Sequence, residues 1–330
     1  MNAKKYLSKI TLLNSILIIL CLSTTLFAAP TDFDGDGKTD FAIVRYNADG
    51  ALTWYILQSR DGFRANDWGR DTGTGVYDIP LVIGDYDGDG RLDLAVYRTD
   101  LQGGNPAYWY VLKSRDNTML VAQWGLTRSD DLVQADYDGD GKTDFAVYRN
   151  SWWYVMRSRD GFLAEKFGLE NADRPLWGND YDGDGKADLA VIRRAPVTGN
   201  PVPTTMYIRL SGNGNWQAYN VGDARFTSIV SGDYDGDGKS DVAIWQNQQW
   251  YWIRSSDGRL GGVSFGQPGD VPIPGDYDGD GKTDAAVIRR EGVKYYYYIL
   301  QSRDGFKAVQ WGSTNTDAPI PTPWLPSVGF

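Results

Sequence analysis

Histidine is missing altogether from the 330 residues, and cysteine occurs once, at Cys21. Without an imidazole there is no Ser-His-Asp triad, no Cys-His protease and no histidine-ligated zinc, since each uses that ring as base or ligand. Basic residues are also few, 33 Lys and Arg against 43 Asp and Glu. The resulting net charge of -10 and pI near 4.6 argue against a nucleic-acid binder, which would carry a clustered basic surface. Uninterrupted apolar sequence is short as well. The run from about Ile10 to Leu22 is broken by Asn14 and Ser15, and a membrane span needs about 20 apolar residues. What the chain has in abundance is 39 glycines, 13 tryptophans and 21 tyrosines, a composition that leans towards strands and turns.

The first 28 residues read as a secretory signal peptide: Lys4, Lys5 and Lys9, then the apolar run, then small residues at Ala28 and Ala29. Cleavage after Ala28 is expected, because a cut one residue later would place Pro30 at the new terminus. Export then removes the only cysteine, so the mature chain enters a disulfide-permissive compartment with nothing to oxidise. It also removes three lysines and no acids, leaving 30 basic against 43 acidic residues, a net charge of -13.

Length alone suggests about two domains, but an internal repeat overrides that count. The string Asp-x-Asp-Gly-Asp-Gly-x-x-Asp begins at Asp32, Asp85, Asp136, Asp180, Asp233 and Asp276, at intervals of 53, 51, 44, 53 and 43 residues. Each copy is followed by a short buried-strand pattern: FAIVR, LAVYR, FAVYR, LAVIR, VAIWQ or AAVIR. An aromatic run comes next, as in WYILQSRDG, where Asp-Gly suits a tight hairpin turn. A segment ending in Trp-Gly or Phe-Gly follows (Trp68, Trp124, Phe167, Phe265, Trp311), with Val221-Gly222 in the one exception. A last strand leads into the next motif.

Four short strands per unit at this spacing point to an all-β fold, a β-propeller of four-stranded blades in a single domain over residues 29–330. The first unit lacks its leading strand and the chain ends on DAPIPTPWL, a leading strand with no motif after it. Pairing of these N- and C-terminal strands would complete one blade and lock the circle. Six motifs imply six blades; seven is the alternative, with one blade degenerate.

Carboxylates at loop positions 1, 3 and 5 converge when the chain curls tightly, and glycine at position 6 permits the turn. These are Asp32, Asp34 and Asp36 in the first unit, then Asp85, Asp87 and Asp89; Asp136, Asp138 and Asp140; Asp180, Asp182 and Asp184; Asp233, Asp235 and Asp237; and Asp276, Asp278 and Asp280. Position 7 offers a backbone carbonyl at Lys38, Arg91, Lys142, Lys186, Lys239 and Lys282, and position 9 a further carboxylate at Asp40, Asp93, Asp144, Asp188, Asp241 and Asp284. Hard oxygen ligands in this number suit Ca²⁺, about six ions in all. An EF-hand would carry Glu at position 12 between helices. Position 12 here is β-branched in every unit (Ile43, Val96, Val147, Val191, Ile244, Val287), so the loop feeds a strand. Six Ca²⁺ would bring the mature charge from -13 to about -1, and would staple a chain that has no disulfides.

Units such as DYDGDGRLDLAVYR and DYDGDGKTDFAVYR resemble FG-GAP/VCBS-type repeats, also seen in the N-terminal domain of integrin α chains. The resemblance spans nearly the whole mature chain and implies a propeller with Ca²⁺ in the loop joining strands A and B of each blade. The chain keeps only a Trp-Gly or Phe-Gly echo of the integrin signature, so integrin-like ligand binding does not transfer.

With metal loops and Asp-Gly turns on one face, the B-C and D-A loops share the other, and nearly all length variation lies in those. Loops that vary on a uniform scaffold are where binding usually resides, which directs attention to QGGNPAY, APVTGNPVPTT and Tyr77. Five arginines ending strand B (Arg45, Arg98, Arg149, Arg193, Arg289) suggest either inter-blade salt bridges or a basic ring for acidic ligands. Trp54, Trp109, Trp153 and Trp250 recur in register, as blade cores would, whereas Trp152 and Trp252 fall outside it and read as surface residues. The expected function is a secreted or cell-surface, monomeric, calcium-binding module for adhesion to a glycan or an extracellular protein. It would make no use of nucleic acid and have no stable membrane span after signal cleavage. No catalytic constellation stands out; a polysaccharide lyase using Lys, Arg or Tyr as base and a purely structural surface protein are the alternatives.

Overall fold

The computed structural model describes residues 31–176, 178–194, 203–223 and 227–320. The expected signal peptide, most of the fourth B-C loop and the chain beyond residue 320 lie outside the described residues. Among those described, no helix is long and apolar enough to cross a membrane.

Among the described residues, twenty-four strands form six four-stranded antiparallel sheets. In chain order they are β1 (Phe41–Tyr46), β2 (Ala51–Gln58) and β3 (Gly62–Arg70), then β4 (Val76–Ile79), β5 (Leu94–Asp100), β6 (Pro106–Leu112) and β7 (Met119–Leu126). The third blade holds β8 (Asp131–Leu132), β9 (Phe145–Arg149), β10 (Trp152–Arg157) and β11 (Gly161–Lys166). The fourth holds β12 (Asp173–Leu176), β13 (Leu189–Arg194), β14 (Pro203–Arg209) and β15 (Trp216–Asp223). The fifth holds β16 (Thr227–Ile229), β17 (Val242–Gln246), β18 (Gln249–Ile253) and β19 (Leu260–Ser264). The sixth holds β20 (Val271–Pro272), β21 (Ala285–Glu291), β22 (Lys294–Gln301) and β23 (Gly305–Ser313), and β24 (Asp317–Ile320) closes the count. Strands are lettered A to D within each sheet.

The fold is a six-bladed β-propeller, and its closure is the one the termini suggest. β24 pairs antiparallel with β1, Ala42 opposite Ile320 and Arg45 opposite Asp317, so the last described strand is strand A of the first blade. Closing the ring in this way gives the first blade the same four strands as the other five, with strands A and D as its edges.

Six apolar clusters, dominated by strands A to C and the first strand residues after each aspartate loop, fill the interfaces. Trp54, Trp109, Trp153 and Trp250 are at most 1% exposed. Each indole N–H donates to the backbone carbonyl of Trp68, Trp124, Phe167 or Phe265, satisfying the polar end of an otherwise apolar side chain. Trp152 lies on the surface as expected, at 38% exposed. Trp252 does not: it stacks on buried Tyr234 with centroids 4.9 Å apart and packs against the core of its blade. Gly261 makes this possible, since a Cβ there would sit 2.3 Å from the Trp252 Nε1.

The six metal-type loops are also tied to one another. The position-8 N–H of each loop donates to the position-1 carbonyl of the loop before it. Leu92 bonds Asp32, Thr143 bonds Asp85, Ala187 bonds Asp136, Ser240 bonds Asp180, Thr283 bonds Asp233 and Thr39 bonds Asp276, at 2.6 to 2.9 Å. The position-7 side chains lie across the same junctions. Lys38 passes over Gly279, and Arg91, Lys142, Lys186, Lys239 and Lys282 pass over Gly35, Gly88, Gly139, Gly183 and Gly236.

Candidate metal centres and the faces around them

Within each loop the position-1 aspartate organises the turn. Asp32 accepts the N–H groups of Gly35, Asp36 and Gly37, and Asp136 and Asp276 do the same in their loops. Glycines at positions 4 and 6 have positive φ in every loop (73° and 83° in the first), a conformation costly for residues with a Cβ. The position-9 carboxylate then closes the loop, accepting the position-2 N–H through one oxygen, as Asp40 does from Phe33 and Asp144 from Tyr137, both at 2.9 Å.

The Asp-Gly hairpin between strands C and D has a larger role than turning the chain. Its leading serine, kept also where Asp116-Asn117 and Asn213-Gly214 stand for Asp-Gly, clamps the aspartate loop in all six blades. Ser59, Ser114, Ser158, Ser211, Ser255 and Ser302 each donate their N–H to the position-9 carboxylate at 2.6 to 2.7 Å. Their hydroxyls donate to the position-5 carboxylate at 2.6 to 2.9 Å. In the first, third and sixth blades the next two N–H groups hold one oxygen of the position-3 aspartate, and the arginine side chain caps that residue's carbonyl. The serine recurs at one position in every unit, a signal present in the sequence that reading Asp-Gly as a plain hairpin overlooks.

These contacts leave a defined remainder. Asp34, Asp87, Asp138, Asp182, Asp235 and Asp278, all at position 3, each keep a buried carboxylate oxygen with no hydrogen-bond partner. A buried carboxylate oxygen without a hydrogen bond is costly, and six at one repeat position, two of them with only a distant arginine at 3.7 and 3.9 Å (Arg115 to Asp87 and Arg303 to Asp278), form a pattern that invites a cation. Carboxylates converge around it: Asp32, Asp34 and Asp36 in the first loop, and positions 1, 3 and 9 in the next four, as in Asp85, Asp87 and Asp93, with ligand atoms within 4.8 Å of one another. Burial pushes the position-9 carboxyls up, Asp40, Asp144 and Asp284 to about 7 and Asp93, Asp188 and Asp241 to about 6. Neighbouring position-3 charges add to the rise. A chelating cation would relieve that repulsion. The residues present therefore fit a hard divalent ion.

The opposite face is built from a second repeated set. The five strand-B arginines do not form an open basic ring, and their ion pairs lie within a blade rather than between blades. Arg45 pairs with Asp317, Arg98 with Asp78, Arg149 with Asp130, Arg193 with Asp173 and Arg289 with Asp270, each through two guanidinium nitrogens. Each aspartate also accepts a backbone N–H from the preceding blade, just after the Trp-Gly or Phe-Gly step: Arg70, Leu126, Leu169, Gln267 and Ser313. Each guanidinium lies over a strand-C tyrosine, Tyr55, Tyr110, Tyr154, Tyr207 or Tyr298, at 4.3 to 5.3 Å. Asp317 shows the balance: burial, the largest single influence, raises its pKa, but the hydrogen bonds from Arg45, Thr316 and the Ser313 N–H together with the Arg45 charge outweigh it and the carboxyl is lowered.

Tyr77 is a residue of β4, paired with Thr99, and not part of a loop. The second B-C loop lies beside it: the Leu101 N–H donates to the Gly75 carbonyl (2.8 Å), and Arg128 reaches the Leu101 carbonyl. The fourth B-C loop is largely outside the described residues.

No curated protein sequence matches the chain significantly. Among solved structures, it is similar to an Agrocybe aegerita lectin described as recognising non-reducing terminal N-acetylglucosamine, at 17% identity over 85% of this chain and 78% of the lectin, TM-score 0.49. It is also similar to TolB from Acinetobacter baumannii, at 16% identity over 90% of this chain and 67% of TolB, TM-score 0.46. A family model described as FG-GAP-like repeat matches residues 32–96, 180–244 and 233–287. Those segments cover more than half of the chain and include five of its six aspartate loops, and the chain belongs to the FG-GAP-like repeat family.

Proposed function

We propose that this chain is an exported binding module, monomeric and without covalent chemistry of its own, whose blades are each stapled by one Ca²⁺ and whose ligand is a glycan or protein outside the cell. The observation that carries the reading is the orphaned position-3 oxygen, repeated in all six loops beside further carboxylates. Positions 1, 3, 5 and 9 would supply carboxylate oxygens and position 7 a backbone carbonyl, an all-oxygen set suited to Ca²⁺. The ion would contribute charge neutralisation and cross-linking of the loop, not reactivity. Support for a non-catalytic role is that the clustered carboxylates are equivalent in six copies and already committed to loop hydrogen bonds, while no histidine exists to serve as acid or base.

The experiment is thermal unfolding with calcium and with chelator, paired with a screen of extracellular glycans and proteins. Metal affinity for the folded state is folding energy, so chelation should lower Tm substantially and calcium should restore it. An unchanged Tm would remove the metal assignment, and turnover of a polyuronide would replace the binding module with an enzyme.

A further inference from the structure

Six copies of one unit supply an internal control: what recurs holds the ring together, and what departs from the pattern in a single blade is free for another use. The departures converge on one place, the outer face of the fifth blade where it meets the fourth.

Four substitutions meet there. Val221 stands where the other blades present Trp or Phe to the next blade. Gln246 stands for the strand-B arginine and Thr227, its register partner, for the strand-A aspartate. Gly262, opposite Tyr251, stands where Ala or Val faces the equivalent tyrosines. All four changes act on Tyr251, the strand-C tyrosine of this blade. The guanidinium that lies over its counterparts has been removed, the large aromatic flanking it has been cut to Val221, and the strand beside it has lost its side chain. Tyr251 is 40% exposed, the most open of the six, and among the described residues no cation covers its ring.

A groove of about 360 Å³ opens over it, lined by Gln249, Tyr251, Leu260, Gly262 and Ser264. That size falls at the small end of ligand pockets, which run roughly 300 to 1,000 Å³. Among the described residues the lining contains no charged side chain. The Ser264 hydroxyl donates to Gln249 Oε1 at 2.7 Å, which orients the amide so that its N–H₂ group remains available to a ligand.

We infer that this groove is a carbohydrate subsite, taking one pyranose ring of a neutral glycan on the face of Tyr251, with the Gln249 amide and Ser264 hydroxyl reading its hydroxyl groups. An exposed flat ring offers dispersion contact to the axial C–H face of a sugar. Amide and hydroxyl groups match a ligand that is all donors and acceptors without charge. A described lining without charge matches a neutral sugar better than an acidic one, which would call for an unpaired cation. This inference rests on the binding-module reading and gives it a site and a ligand class.

The test is calorimetric titration of the calcium-loaded protein with cellohexaose, xylohexaose and chitohexaose, and with oligogalacturonate as the acidic comparison. Saturable binding of at least one neutral oligosaccharide is expected. Tyr251→Ala should weaken it by roughly tenfold or more, while Tyr251→Phe keeps it. Gln246→Arg with Thr227→Asp rebuilds the pattern of the other blades, so it should cover the ring and weaken binding without lowering Tm; Tyr55→Ala in the first blade should leave binding unchanged. No saturable binding to any neutral sugar, or preference for oligogalacturonate, overturns the inference. Sugar binding that survives both Tyr251→Ala and the rebuilt pair removes this site while leaving the binding module in place.

Discussion

Deleting the guanidinium of the second blade while leaving its aspartate behind isolates what the repeated ion pair contributes. In Arg98→Met, Asp78 keeps only the Arg70 N–H at 2.8 Å and loses two charge-assisted bonds at 2.7 and 2.8 Å. The Asp78 side chain is 0% exposed and that of Arg98 34%. Breaking a buried pair from one side costs about 3 to 5 kcal/mol, because a charge is left without its partner. Partial exposure of Arg98 lets water screen the pair and places the cost near the lower end, about 3 kcal/mol, including the lost stack on Tyr110. For a domain of this size that corresponds to roughly 5 °C in Tm. Replacing both partners, Arg98→Gln with Asp78→Thr, copies the Gln246 and Thr227 solution of the fifth blade and should stay within about 1 kcal/mol of the parent. Unfolding followed by circular dichroism and tryptophan fluorescence in saturating calcium measures both. A single-variant shift below about 2 °C, or a double variant as unstable as the single, would refute the assignment of the pair as a stabilising lock.

Three further outcomes are expected. The chelated protein should melt higher at about pH 5 than at about pH 8: the position-9 carboxyls titrate near 6 to 7 when folded and near 3.8 otherwise, so the folded state binds the extra protons and loses that stability as pH rises through the folded values. An equal or lower Tm at the acidic pH contradicts this. Ser158→Ala removes a hydroxyl held 2.6 Å from Asp140; if each loop takes one Ca²⁺ as proposed, it should weaken that one site by about tenfold, visible as one equivalent lost first in competition with a chromophoric chelator. Gly84→Ala would place a Cβ 2.5 Å from the Thr143 hydroxyl and should cost about 1 to 3 kcal/mol. Thr143→Ala should restore most of that, since Ala135 already packs with Ala187 at the next junction; a neutral single variant in the same melts would show that the junction is loose.

Much of this was readable beforehand because it is written six times. The aspartate loops, the four strands per unit, the closure of β24 on β1 and the register of Trp54, Trp109, Trp153 and Trp250 follow from period and composition. The arginine partners were less visible, since Asp78, Asp130, Asp173 and Asp270 sit in stretches that read as strand entries. Their spacing of 19 or 20 residues before the arginine was nonetheless regular. Trp252 misled because surface or core placement of an out-of-register tryptophan depends on its neighbour, here Gly261, whose missing Cβ opens the space. The serine clamp was hidden by a second meaning of the same residues: Ser-Arg-Asp-Gly makes a good hairpin and also grips a loop that is distant in sequence. The groove at Tyr251 could not be seen as one feature until Val221, Thr227, Gln246 and Gly262 were brought together by the fold.

The chain of amide-to-carbonyl links between successive aspartate loops bears on how such a protein can change over time. Each link sets the angle between one wedge and the next, and the sixth link, from Thr39 back to Asp276, is met only if all the angles add up to a full circle. Duplicating or deleting one unit would leave every local fold intact and yet misplace that final contact, together with the pairing of β24 on β1. Copy number is therefore under a geometric veto. Units can diverge one at a time, as the fifth has done, but they cannot easily be added or dropped.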